Sequence, residues 1–168
     1  HGTWRLATLD PTTRTFEPIE TPYIELGHYV RANSKRVVFD ASSPAESESV
    51  VQLDLTTRRI EVLYRGSKTA VDPGYLSTPQ PVEFPTGNGL TAYGFYYPPQ
   101  NRDYTGPPDE RPPLLVKSHC GPTSATSAAL NLNVQYWTSR GIALLDVDYG
   151  GSTGYGRAYR QRLNGRWG

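Results

Sequence analysis

The chain has 168 residues, enough for one ordinary domain or parts of two. Lys plus Arg (17) nearly balances Asp plus Glu (16), which leaves no electrostatic footprint for nucleic acid. No run approaches the roughly 20 apolar residues of a membrane span, and the single cysteine excludes an internal disulfide.

The first 75 residues carry an internal repeat. Ala7–Ile19 (ATLDPTTRTFEPI) aligns with Val51–Leu63 (VQLDLTTRRIEVL), with identities at Leu9/Leu53, Asp10/Asp54, Thr12/Thr56, Thr13/Thr57, Arg14/Arg58 and Glu17/Glu61. Each copy reads as a strand, a tight polar turn and a second strand, with Asp and Thr bonding the turn backbone. Two more strands, Ile24–Val30 and Arg36–Ala41, lie between the copies and meet at Asn33-Ser34. A period of about 40 to 50 residues built from short strands is the signature of β-propeller blades. Ile24–Tyr64 then makes one blade, and Thr3–Ile19 the outer half of the blade before it. Such a partial propeller leaves an inner edge that needs partner strands.

Gly66–Pro81, rich in Gly, Ser and Pro, marks the boundary, so residues 1–74 are expected to be partial propeller and 75–168 a second domain. Pro81–Phe84 and Leu90–Tyr97 flank Thr86-Gly-Asn-Gly, a hairpin turn whose Asn and Gly tolerate positive φ. Pro98–Pro113 holds six prolines and reads as an exposed loop. Leu114–Val116 and Ile142–Leu145 are nearly continuous apolar runs, expected for strands covered on both faces. A helix lies between them, capped by Thr123 or Ser124, with Leu130, Val134 and Trp137 inward and Gly141 as its stop. The alternation of strand, helix and strand argues for a mainly parallel α/β sheet.

Chemistry concentrates in two loops. His119-Cys120-Gly121-Pro122 joins a buried strand to a helix, where α/β-hydrolases place the backbone donor of an oxyanion hole. One such donor is worth about 3 kcal/mol of transition-state stabilisation. A Cys-His nucleophile is disfavoured, because neighbours at a strand end point in opposite directions. Gly150-Gly151-Ser152-Thr153-Gly154 matches the G-x-S-x-G nucleophile elbow and follows a strand. It comes one strand-helix unit early for an elbow, however, and no histidine follows it. Gly154-x-Gly156 falls short of a dinucleotide fingerprint, and no lysine completes a P-loop. Asp146 and Asp148 have no third ligand nearby, so bonding to loop amides is expected of them rather than metal binding.

Together the repeat, the linker, Pro113–Pro122 and Tyr136–Gly168 resemble the prolyl oligopeptidase family of serine peptidases, in its dipeptidyl and acylaminoacyl branch. The resemblance implies a partial β-propeller followed by the N-terminal portion of an α/β-hydrolase domain. It also implies hydrolysis of peptide or amide bonds of short or N-terminally blocked peptides, through an acyl-enzyme and without cofactor. His119, Cys120 and Gly121 become the oxyanion loop, with Cys120 where that family has the first glycine of His-Gly-Gly-Pro. Tyr149, Gly151, Ser152 and Tyr155 become a loop near the active-site entrance. The catalytic Ser, Asp and His are expected after Gly168, so the chain alone is expected to be inactive, a piece of a cytoplasmic parent. Two alternatives stand beside this: a non-catalytic propeller/hydrolase-like binding protein, and a small esterase using Ser152.

Overall fold

The computed structural model describes residues 2–68, 70–121 and 123–166; Pro122 of the first loop and the terminal Trp167-Gly168 lie outside them. The described residues form two compact units, residues 3–68 and 70 with 128–130, and residues 2, 71–121 and 123–127 with 131–166.

The first unit is all β. Strands β1 (Leu6–Asp10) and β2 (Thr15–Ile19) pair as an antiparallel hairpin. Strands β3 (Glu25–Ala32), β4 (Arg36–Ser42), β5 (Ser49–Asp54) and β6 (Ile60–Arg65) follow as a four-stranded meander in the order β3-β4-β5-β6. The repeat has a local cause. Asp10 Oδ1 accepts the amides of Thr12 and Thr13 at 2.8 and 3.3 Å, and Asp54 Oδ1 those of Thr56 and Thr57 at 2.9 and 2.8 Å. Both turns end on an arginine in the left-handed region, Arg14 at φ 58° and Arg58 at φ 60°. Few non-glycine residues adopt that conformation, so it needs a turn stapled from within. The turns match while their surroundings differ: Leu53 is fully buried, whereas its counterpart Leu9 is 64% exposed. Phe39, Val37, Val51, Leu53 and Ala41 form the core, and Ile19 of β2 packs into the same cluster. Between β2 and the joint at Asn33, β3 carries a bulge at Leu26–Val30, and Asn33 Oδ1 receives the amides of Lys35 and Arg36.

The second unit holds β7 (Gln80–Pro85), β8 (Thr91–Tyr97), β9 (Leu114–Ser118) and β10 (Ala143–Asp148), in the order β7-β8-β10-β9. The β7–β8 turn places Asn88 at φ 60° and Gly89 at φ 69°, as Thr86-Gly-Asn-Gly requires. Only β9 and β10 run parallel; β8 pairs antiparallel with both β7 and β10. The expectation of a mainly parallel sheet is thus corrected to a mixed one, because the hairpin enters the sheet before the single crossover. Strand β10 is the buried centre, but β9 ends the order and leaves Leu114 and Val116 53% and 59% exposed, so cover on both faces holds for one strand only.

The crossover helix is also shorter than expected. Helix α1 spans Leu132–Thr138 and is capped by Asn131, whose side chain accepts from Asn133 and Val134, not by Thr123 or Ser124. The upstream Ser/Thr run is committed elsewhere, with Thr126 bound to Asp148. Val134, Gln135 and Thr138 face inward while Trp137 is 38% exposed. Polar Gln135 is buried because its side chain copies a strand partner: it accepts the Ser77 amide and donates to the Ser77 carbonyl, at 2.7 and 3.1 Å. Gly141, at φ 84°, does end the helix, with Gly141 N–H bonded to Thr138 O and Ile142 N–H to Trp137 O, the Schellman pattern. A four-residue helix α2, Arg157–Arg160, follows β10 and its glycine loop. No helix among the described residues is long and apolar enough to cross a membrane.

Candidate active-site loops

Parallel β9 and β10 end side by side, with Ser118 opposite Val147, so the loops that leave them meet at one end of the sheet. The first loop is His119-Cys120-Gly121; the second runs from Tyr149 to Gly156.

Asp148, the last residue of β10, organises the meeting point. It is fully buried, and its carboxylate accepts the Thr126 amide at 2.8 Å, the Thr126 hydroxyl at 3.1 Å and the Tyr155 hydroxyl at 2.9 Å. Its backbone carbonyl accepts the Tyr159 hydroxyl at 2.6 Å. A fully buried carboxylate is tolerated only where donors satisfy its oxygens in this way. Burial and the adjoining carboxylate push the Tyr155 phenol well above its ordinary range, so Tyr155 acts as a donor. Its ring stacks on Tyr93 of β8, with centroids 4.3 Å apart, which ties the second loop to the sheet. Two residues earlier, Asp146 pairs with Lys117 across the parallel strands at 2.6 Å. Burial raises the Asp146 carboxyl, and Lys117 offsets part of that rise.

His119 reaches into this polar interior, its side chain 9% exposed. Its Nε2 hydrogen-bonds Ser152 Oγ at 2.7 Å, and the same nitrogen lies 3.7 Å from Asp148 Oδ1. The Tyr149 ring stacks on the imidazole with centroids 4.5 Å apart and planes 22° apart, and its hydroxyl donates to the Gly121 carbonyl at 2.9 Å. Cys120 is an exposed free thiol pointing away from this interior, as neighbouring residues at a strand end must. Gly121 is exposed at φ 75°, and a Cβ built there would meet nothing within 4 Å. The N–H groups of Cys120 and Gly121 have no hydrogen-bond partner among the described residues.

A serine, a histidine and an aspartate therefore lie together, but not as a catalytic relay. In a working triad the carboxylate holds the ring nitrogen opposite the one that serves the serine. Here both groups face Nε2, while Nδ1 lies 3.4 Å from the Cys120 carbonyl and 3.5 Å from the Tyr149 hydroxyl. Ser152 is fully buried, and Gly151 is buried too, where a Cβ would stand 2.7 Å from that of Leu163. The sequence singled out His119, Cys120, Gly121, Tyr149, Gly151, Ser152 and Tyr155, and all of them belong to these two loops. Two contributors were missed as partners: Thr126, hidden in a Ser/Thr run that resembled a helix cap, and the aromatic brace Tyr93–Tyr159. Asp148 fulfils the expected bond to a loop amide. Among the described residues no three His, Cys, Asp or Glu side chains gather as a metal site.

The two loops are thus framed by a mixed sheet, with a positive-φ glycine at the end of one parallel strand and a buried polar brace at the end of the other. Residues 128–168 match the family model described as "Prolyl oligopeptidase family". Dipeptidyl aminopeptidase BIII of Pseudoxanthomonas mexicana is 32% identical over 89 residues, 52% of this chain and 13% of that protein. A puromycin hydrolase mutant solved in complex with PGG is 43% identical over 99% of this chain and 25% of its own, with a TM-score of 0.90. A puromycin-hydrolyzing peptidase of Mycobacterium tuberculosis is 40% identical over 96% of this chain and 25% of its own, with a TM-score of 0.91. The chain is thus related to the peptidases of the prolyl oligopeptidase family, and it spans about a quarter or less of the relatives it matches.

Proposed function

We propose that these residues are part of a serine amidase or peptidase that cleaves short aminoacyl or peptidyl amides through an acyl-enzyme. The observation that carries this reading is the 43% identity at a TM-score of 0.90 to a puromycin hydrolase, maintained over 99% of the chain. In it residues 1–74 are propeller, the β3–β6 meander being one blade and β1–β2 half of another. Residues 75–168 begin the α/β-hydrolase domain. A serine outside these residues attacks the amide carbonyl, its histidine takes the proton and returns it to the leaving amine, and the N–H of Cys120 or Gly121 holds the oxyanion. A donor aimed at that developing charge supplies about 3 kcal/mol. The buried Ser152 and the crowding of Nε2 support a bracing role for His119 and Ser152, and hence a chain without its own triad. Tyr149 and Tyr155 are half-buried where Ser152 is fully buried, which supports the entrance role for these two tyrosines rather than for the Ser152 hydroxyl.

A second reading, Ser152 as an esterase nucleophile, draws on the 2.7 Å contact with His119. One experiment separates the two. The full-length protein is treated with a fluorophosphonate, assayed with puromycin and an aminoacyl p-nitroanilide, and digested for peptide mapping. A label outside residues 1–168 with turnover of either amide supports the proposal. A label on Ser152, lost in Ser152→Ala, replaces it with the esterase reading. No label and no turnover leaves a non-catalytic binding protein.

A further inference from the structure

We propose that Tyr149 is a positioning residue for the oxyanion loop, holding the Cys120–Gly121 segment from two sides so that its free N–H groups keep one direction. This rests on the reading of His119-Cys120-Gly121 as that loop. The loop has little to hold itself. Gly121 sits at φ 75° with open space where a side chain would be, and glycine is the residue with the most backbone freedom to lose.

Both ends of the segment are nevertheless fixed, and Tyr149 is at both. At one end the His119 ring is clamped between the Ser152 hydroxyl at its edge and the Tyr149 ring on its face. At the other, the Tyr149 hydroxyl draws in the Gly121 carbonyl at 2.9 Å. The two N–H groups, without partners among the described residues, lie between these anchors. Tyr149 in turn follows Asp148, whose carboxylate and carbonyl are both locked by buried donors, so the clamp is mounted on a rigid strand end. An oxyanion donor works because it is already aimed when charge develops. Misplacing catalytic geometry by about 1 Å costs on the order of a hundredfold.

The test uses the full-length enzyme and the variant Tyr149→Phe, which keeps the stacking ring and removes only the hydroxyl. Turnover is measured on an aminoacyl ester and on its thionoester, whose sulfur accepts hydrogen bonds poorly. The expected result is a kcat for the ester lower by about 10- to 100-fold, a KM within about twofold, and a smaller ester-to-thionoester rate ratio. Ser152→Ala, which releases the other anchor, is expected to shrink the same ratio by less. An unchanged ester kcat in Tyr149→Phe overturns the proposal, as does a fall with the ratio intact, which would mean general loss of structure. If Tyr149→Phe fails to fold, the Ser152→Ala ratio decides alone. A wild-type enzyme that neither turns over the ester nor takes a fluorophosphonate overturns the serine-amidase reading and this one with it.

Discussion

Asp148 offers the sharpest test of how the two loops are held. Replacing it with Ala removes the acceptor for the Thr126 amide, the Thr126 hydroxyl and the Tyr155 hydroxyl at once. A buried donor left without a partner costs about 1–3 kcal/mol. The Tyr155 hydroxyl, on a half-buried side chain, finds water more easily than the two Thr126 donors. Two orphaned donors and a cavity therefore set the loss at about 3–5 kcal/mol. Asp148→Asn behaves differently. Its oxygen still faces the Thr126 amide, and its NH2 faces two hydroxyls that can rotate to accept, so only charge assistance is lost, about 1–2 kcal/mol. The assay is native-state hydrogen exchange at the Thr126 amide, alongside the urea midpoint. With tenfold per 1.4 kcal/mol, protection should fall about a hundredfold or more in the Ala variant and about tenfold in the Asn variant. Equal losses in the two variants, or a loss below about 1 kcal/mol in Asp148→Ala, would refute the hub.

Three further outcomes follow from the structure. Leu53→Ala in the fully buried repeat position should cost about 2–5 kcal/mol, and Leu9→Ala at its 64% exposed counterpart under about 0.5 kcal/mol in urea unfolding of the 168-residue chain. An equal cost in the full-length protein would show further strands covering β1–β2 there, as the propeller reading requires. Gly94→Ala puts a Cβ 2.5 Å from the Asp146 carbonyl across the β8–β10 pairing, so the melting temperature should drop by an amount equivalent to about 1–3 kcal/mol; an unchanged melting temperature would contradict that register. The pH dependences have opposite signs. Asp146 is raised above its ordinary 3.8, so its contribution is full below about that pH and is lost as pH rises through the folded value; Lys117→Met should push that loss to higher pH. Asp10 and Asp54 are lowered from 3.8 by the turn amides, so theirs is present above that pH and lost as pH falls through the folded values. Urea midpoints against pH, with Asp54→Asn flattening the acid limb, check both.

What the sequence made legible was whatever is decided locally. The Asp-x-Thr-Thr-Arg turns, the Asn-Gly hairpin, the Gly141 stop and the two glycine loops are each set by a few neighbouring residues, and each forms where their chemistry demands. The failures share a cause. The helix start, its buried face and the cover over β9 depend on partners far along the chain: Thr126 is claimed by a carboxylate 22 residues away, and Gln135 is buried because Ser77, 58 residues away, offers it a backbone edge. Periodicity treats a Gln as outward and a Trp as inward, and here the hydrogen-bonding partner reversed both. The parallel-sheet expectation failed in the same way, since strand direction is fixed by pairing and not by the composition of either strand.

The pairing of His119 with Ser152 shows why composition also misleads at the site. A hydroxyl, an imidazole and a carboxylate within 4 Å satisfy a search by residue type, and the G-x-S-x-G spacing points the same way. Two details of geometry weigh against that reading. General-base catalysis needs one ring nitrogen for the serine and the other for the carboxylate, so that the proton taken at one side is balanced at the other. When both crowd Nε2, the carboxylate competes with the serine instead of supporting the base. A nucleophile must also meet its substrate, and Ser152 has no exposed surface. The residues on the open side are instead Cys120 and Gly121, whose N–H donors have no partner among the described residues. On the proposed oxyanion-loop reading, this corner supplies a field for a developing negative charge, and the buried polar groups behind it give that field a fixed direction.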